Sequence, residues 1–108
     1  MVTSLDYYKT FYYVAKYGNI TAAAERLGSE QPNVTRGIKN LERDLKCVLF
    51  TRSNKGVKLT PEGEKLYRHI AVAYEHIKAG EEELELFNKM VRGVVRVGAS
   101  ETALHEVL

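Results

Sequence analysis

The sequence predicts a mainly α fold: a three-helix core bearing a two-stranded hairpin, followed by one long helix. Three observations predict it. Apolar residues recur at steps of three and four in three short segments set off by glycine, proline or capping residues. Two short β-prone runs, Val48 to Thr51 and Val57 to Leu59, flank the turn-forming Arg52-Ser53-Asn54-Lys55-Gly56. Beyond Pro61 a heptad repeat continues for longer than a small domain could cover.

The first helix is expected from the stripe Leu5, Tyr8, Phe11, Tyr12 and Ala15, capped by Thr3 or Ser4 and ended by Gly18 and Asn19. It holds five of the seven tyrosines, at positions 7, 8, 12, 13 and 17. A stacking platform for single-stranded nucleic acid would need such rings exposed on a sheet, so helical tyrosines are read as packing. Thr21-Ala22-Ala23-Ala24-Glu25-Arg26-Leu27 follows, its alanines suited to close helix approach, and Gly28 ends it. After Ser29 and Glu30, Gln31-Pro32 opens a third helix, because proline's missing N–H would be unpaired in a first turn anyway. Val34, Ile38, Leu41 and Leu45 form its buried face, and Pro32, Arg36, Lys39 and Arg43 lie opposite, flanked by Asn33, Thr35 and Asn40.

Thr60-Pro61-Glu62 supplies a cap, a first-turn proline and an acid at the positive end of the dipole, so the long helix starts here. Leu66, Ile70, Ala73, Ile77, Gly80, Leu84, Phe87 and Val91 repeat in steps of four and three, a seam that calls for a partner helix. From Pro61 to Met90 the helix would be ~45 Å long. Val94, Val95 and Val97 with Arg96 read as a strand, and Gly98-Ala99-Ser100 as a turn. A lone strand is not stable, so a further domain is expected to begin there.

The net charge of +2 conceals a division. Residues 1–60 carry ten Lys/Arg against five Asp/Glu, and residues 61–108 carry six against nine. A basic first half suits a polyanion partner, and the acidic half is left to another task. The single cysteine, Cys47, excludes an internal disulfide and reads as a small buried hydrophobe in a reducing, cytoplasmic setting. No run approaches a membrane span, and the start lacks a signal-peptide pattern.

A short helix, a tight turn and a helix with a polar outer face are the parts of a helix-turn-helix, spanning about residues 20–39, whose second helix enters the major groove of double-stranded DNA. Gln31, Asn33 and Asn40 can donate and accept toward base edges, Arg36 can grip guanine with two bonds, and Thr35 can meet a phosphate or a thymine methyl. Arg52, Lys55 and Lys58 place positive charge on the wing, toward phosphates or the minor groove. Enzymatic chemistry has little to stand on. His69 and His76 are ~10.5 Å apart along a helix axis, too far to share a metal without His105, and no phosphate-loop glycine motif is present. No cofactor is needed for binding DNA. The competing reading from another class is a helical interaction protein, which predicts no affinity for a random duplex. A winged helix of another regulator family is the nearer rival.

The runs Thr21-Ala22-Ala23-Ala24-Glu25-Arg26-Leu27, Gln31-Pro32-Asn33-Val34-Thr35-Arg36-Gly37-Ile38 with Leu41-Glu42, and Leu49-Phe50-Thr51-Arg52 with Gly56-Val57-Lys58-Leu59-Thr60 resemble the amino-terminal domain of LysR-type transcriptional regulators. The resemblance implies a winged helix-turn-helix over residues 1–60, a linker and dimerisation helix over 61–90, and the start of an effector-binding domain over 91–108. It further implies that Gln31, Pro32, Asn33, Thr35 and Arg36 face bases and phosphates, that Thr21 meets a phosphate, and that Arg52 and Lys55 make wing contacts. A homodimer through the linker helix, with a tetramer as the alternative full-length assembly, and a small-molecule effector near Ser100 and Thr102 complete the expectation. Three residues depart from the family pattern. Glu30 replaces a serine that would cap the recognition helix, with Ser29 a partial substitute. Lys46 replaces a glycine at that helix's end, and Gly37 replaces a common glutamine, removing one possible contact.

Overall fold

The structure, a computed structural model, describes residues 4–97. In chain order these form α1 (Leu5–Tyr17), α2 (Ile20–Leu27), α3 (Gln31–Leu45), β1 (Phe50–Ser53), β2 (Gly56–Leu59) and α4 (Pro61–Val97). They fall into two compact units, one reaching Val72 and the other beginning at Ala73.

α1 starts at Ser4, whose hydroxyl accepts the Asp6 N–H at 3.2 Å, and ends at Gly18 in the left-handed conformation. Its buried residues are Phe11, Tyr12 and Val14. The expected stripe is therefore corrected: Leu5 is 76% exposed and Val14 belongs to the core. Periodicity fixes spacing but not phase, and tyrosines around the helix made more than one phase look apolar. Asn19 starts α2 rather than ending α1, its side-chain oxygen accepting the Ala22 N–H at 3.0 Å.

α2 buries Ala23 and Ala24, and α3 buries Val34, Gly37, Ile38 and Leu41. Position 37 faces α1, where an added Cβ would meet the Thr10 side chain at 3.4 Å. Gly37 is buried there on the side of α3 that α1 covers. Phe11, Val14, Ala23, Ala24, Val34, Ile38, Leu41 and Leu49 make one core. Burying such side chains contributes about 1.5–3 kcal/mol for each large one.

The hairpin is antiparallel, pairing Phe50 with Leu59, Thr51 with Lys58, Arg52 with Val57 and Ser53 with Gly56. It begins two residues later than the sequence suggested, leaving Val48 outside the strand and reducing the turn to Asn54-Lys55. Gly56, at φ 120°, lies so close to the Gly18 carbonyl that a Cβ would overlap it. The next residue's N–H, on Val57, donates to that same carbonyl at 3.2 Å, tying β2 to the end of α1.

Thr60 joins hairpin to helix. Its N–H donates to the Leu49 carbonyl at 3.0 Å, and its hydroxyl donates to the Val48 carbonyl at 2.6 Å and accepts the Gly63 N–H at 3.0 Å. Leu66, Tyr67 and Ile70 then pack against the core, so the first compact unit takes in the beginning of α4 and passes the expected boundary at Thr60. α4 also runs beyond the expected end at Met90. Val94, Val95 and Val97, read as a strand, continue the helix. β-branched propensity loses here because a helix satisfies its own backbone groups, whereas a strand needs a neighbour.

Candidate nucleic-acid interface

The interface candidate starts at the turn between α2 and α3. Gly28 is left-handed at φ 65°, its N–H donates to the Glu25 carbonyl, and the Ser29 N–H donates to the Ala24 carbonyl at 3.0 Å. This pair of bonds closes α2 and redirects the chain within three residues. Glu30 then takes the N-cap position of α3 with extended backbone and no side-chain cap bond, and Ser29 does not replace it as a cap.

An open groove results, lined by Thr21 of α2, Ser29 and Glu30 of the turn, and Gln31, Pro32, Thr35 and Arg36 of α3. The outer side chains Thr21, Gln31, Pro32, Asn33, Arg36 and Lys39 are exposed, and Thr35 is half-buried. Arg36 donates to the Asn33 side-chain oxygen at 3.2 Å, which holds the guanidinium along the helix face. From the hairpin, Arg52 donates to the Thr35 hydroxyl at 3.4 Å and so links wing to helix. Lys55 and Lys58 are exposed on the hairpin. Arg52 and Lys55 also line a second recess with Asn19 and Ile20 at the start of α2.

The structure thus brings Thr21, Gln31, Pro32, Thr35 and Arg36 into one groove, with Asn33 and Arg52 bonded to its members. Lys39 and Lys58 lie apart from that groove. Asn40 is turned inward, its amide donating to the Tyr7 hydroxyl at 3.0 Å.

Two residues with a hand in this geometry were missed. Glu42 accepts the N–H groups of Leu49 and Phe50, at 2.7 and 3.3 Å, and so clamps the wing's root to α3. Its one signal was an acid directly beside the buried Leu41. Gly63 is buried, and a Cβ there would overlap the Leu49 carbonyl, a contact that no local pattern announces.

The tyrosines pack, as the helical reading expected. Tyr12 stacks on Tyr67 with centroids 5.9 Å apart, Lys16 lies over the Tyr12 and Tyr17 rings, and Arg26 lies 5.1 Å from the Tyr17 centroid. Their faces are engaged within the domain and do not form an open stacking platform. Cys47 is half-buried rather than buried, and its thiol is pushed up by burial and then by Glu62 and Glu42, a direction that disfavours the thiolate. Among the described residues no three His, Cys, Asp or Glu side chains gather as a metal site requires; His105, Ser100 and Thr102 lie outside them. None of the described helices is long and apolar enough to cross a membrane.

On α4 the expected seam divides. Leu66 and Ile70 are half-buried against the core of their own domain. Farther along, Ala73 is exposed, as are Ile77 at 56%, Leu84 at 64% and Phe87 at 36%, while Gly80 and Val91 are half-covered.

The family described as "Bacterial regulatory helix-turn-helix protein, lysR family" matches residues 5–64, from α1 through the first turn of α4. The HTH-type transcriptional regulator YofA of Bacillus subtilis (strain 168) is 38% identical over 94 residues, covering 87% of this chain and 33% of that protein. Two solved structures of DNA complexes share the fold. The DNA-binding domain of CbnR has 33% identity and a TM-score of 0.66, with 78% of this chain and 97% of that one covered. The DNA-binding domain of BenM on catB site 1 has 29% identity and a TM-score of 0.69, with 77% and 93% covered. This chain spans about a third of the length of the curated relatives it matches, which are transcriptional regulators and not enzymes. With the family match taking in the whole core, the turn and the wing, the chain belongs to the lysR family of bacterial regulatory helix-turn-helix proteins.

Proposed function

We propose that this chain binds double-stranded DNA by sequence, setting the start of α3 into the major groove and the hairpin against the backbone or the adjoining minor groove. The observation that carries this reading is the groove of Thr21, Gln31, Pro32, Thr35 and Arg36, with Arg52 reaching it from the wing. The Gln31 amide and the Arg36 guanidinium that line it suit base edges, and the exposed lysines of α3 and the hairpin suit phosphates. The DNA complexes of CbnR and BenM, which share this fold, support it. Gln31, Pro32, Asn33, Thr35 and Arg36 read bases or the adjoining phosphates, Thr21 holds a phosphate, and Lys39, Lys55 and Lys58 add charge. Asn40 acts through Tyr7 on the placement of α1 instead of touching DNA directly.

Two chains pair through α4 from Ala73 to Val91, so that two recognition helices read one site. Leu66 and Ile70 extend the same stripe into the domain core. Relatives about three times as long support a longer protein in which an effector-binding region, beginning near residue 91, lets a small molecule govern a cytoplasmic dimer or tetramer.

Selection from random duplexes followed by titration tests the DNA reading. Arg36→Ala should cost ~1–3 kcal/mol on the selected site and relax one base position, while Lys55→Ala weakens all duplexes alike and lowers the salt slope by about one. Failure of the wild-type chain to bind any duplex at low salt would make it a protein-interaction domain.

A further inference from the structure

We propose that Glu30 is a specificity-determining residue of this interface, selecting a base that offers an amino group in the major groove, cytosine first, and weakening binding to other sequences. The inference rests on the DNA reading above and assigns one residue of that groove a task.

Glu30 stands at the N-cap of α3 with φ −88° and ψ 152°, and its side chain does not perform the cap's usual work. Its backbone carbonyl serves the helix, accepting the N–H groups of Asn33 and Val34 at 3.0 and 3.1 Å. The carboxylate is exposed and, among the described residues, has no hydrogen bond or ion pair. It lines the groove beside Gln31 and Arg36, at the end of the recognition helix that reaches base edges.

A carboxylate accepts hydrogen bonds and donates none. Phosphate is therefore refused as a partner, and the acid opposes the backbone on any sequence. In the major groove only the cytosine N4 and adenine N6 amino groups donate, and glutamate suits cytosine, whose own edge there offers that donor and no acceptor. Adenine offers its donor beside the N7 acceptor, which suits an amide better. The same charge thus attracts one edge and repels most of what surrounds it, which is how discrimination is gained without adding affinity. A carboxylate near a helix N-terminus also interacts favourably with the helix dipole, but that role alone would leave base preference untouched.

The test is binding-site selection and anisotropy titration with the 108-residue chain as wild type, Glu30→Ser and Glu30→Gln. Serine is a favoured N-cap, so the variant keeps its fold. Wild type should enrich cytosine at one position by about tenfold over other bases, Glu30→Ser should lose that preference alone, and Glu30→Gln should move it toward adenine. Glu30→Ser should also bind a random duplex about threefold to tenfold more tightly. Unchanged preferences in Glu30→Ser, or no gain on random DNA, would overturn the proposal while leaving DNA binding intact. Wild type that binds duplexes yet enriches no sequence would overturn it too, and wild type that binds none would remove the functional reading beneath it.

Discussion

Lys46 holds a conformation that L-residues other than glycine seldom adopt, with φ 59° and ψ 39° at the end of α3. The helix closes there as it would with glycine, the Lys46 N–H donating to the Arg43 carbonyl and the Cys47 N–H to the Glu42 carbonyl. The geometry is retained and a steric cost is accepted, about 1–2 kcal/mol for a left-handed L-residue. A lysine near the carbonyl end of a helix regains part of this through the dipole. Lys46→Gly is therefore expected to exceed Lys46→Ala in stability by about 1 kcal/mol, because both remove the charge and only glycine removes the clash. Urea unfolding monitored by tyrosine fluorescence or circular dichroism measures the difference. Equal midpoints would mean that the left-handed turn is unstrained. The residue was visible in the sequence as a departure from pattern, but its effect was not, since a substitution can either abolish a turn or be forced into it.

At the scale of elements, the helices and the hairpin were legible because of local signals: Ser4 as a cap, Gly18 and Gly28 as stops, Pro32 and Pro61 in first turns; Asn19, read as a stop, is the cap of α2. Most of the candidate groove was legible for the same reason, as its residues lie within one turn of Pro32 or face it from Thr21. Placement of Asn40 and Gly37 was not, because both depend on α1, some thirty residues away, through Tyr7 and Thr10. The phase of α1 and the fate of Val94 to Val97 failed on similar grounds: neighbours decide which face is buried and whether a strand has a partner. Gly63 is the sharpest case. Helix propensity alone says that Gly63→Ala should stabilise α4 by about 1 kcal/mol. The packed structure says the reverse, since the new Cβ would overlap a carbonyl that is itself held by Thr60. Gly63→Ala is expected to destabilise by about 1–3 kcal/mol in thermal or urea unfolding, and a gain would show that the first turn of α4 can move away from Leu49. Glu42, which pairs with Leu49 and Phe50, was hidden by the same kind of distance in sequence.

For the whole molecule, the long-helix surface is the feature that the globular part does not explain. Along the seam Ile77 and Leu84, one heptad apart, are each more than half exposed, and Phe87 is 36% exposed. Burying such side chains against a second copy contributes ~1.5–3 kcal/mol apiece, against losses of ~0–1 kcal/mol for each exposed like-charge encounter along Glu81-Glu82-Glu83. The chain is expected to sediment as a dimer at tens of micromolar, and Ile77→Asp with Leu84→Asp to give folded monomers that hold DNA weakly. A monomeric wild type would remove the pairing surface, and a double variant that stays dimeric would move it to another exposed apolar position such as Leu5 or Val48. How the wing and α4 are joined bears on any such pairing. A single residue, Thr60, separates β2 from α4, and its N–H and hydroxyl grip Leu49, Val48 and Gly63. Mechanically this is a joint without slack. A torque applied to the first turn of α4 has no loop in which to dissipate and is delivered to residues 48 and 49, and Glu42 in turn fastens Leu49 and Phe50 to α3. Hairpin, the first turn of α4 and α3 are fastened together at one root.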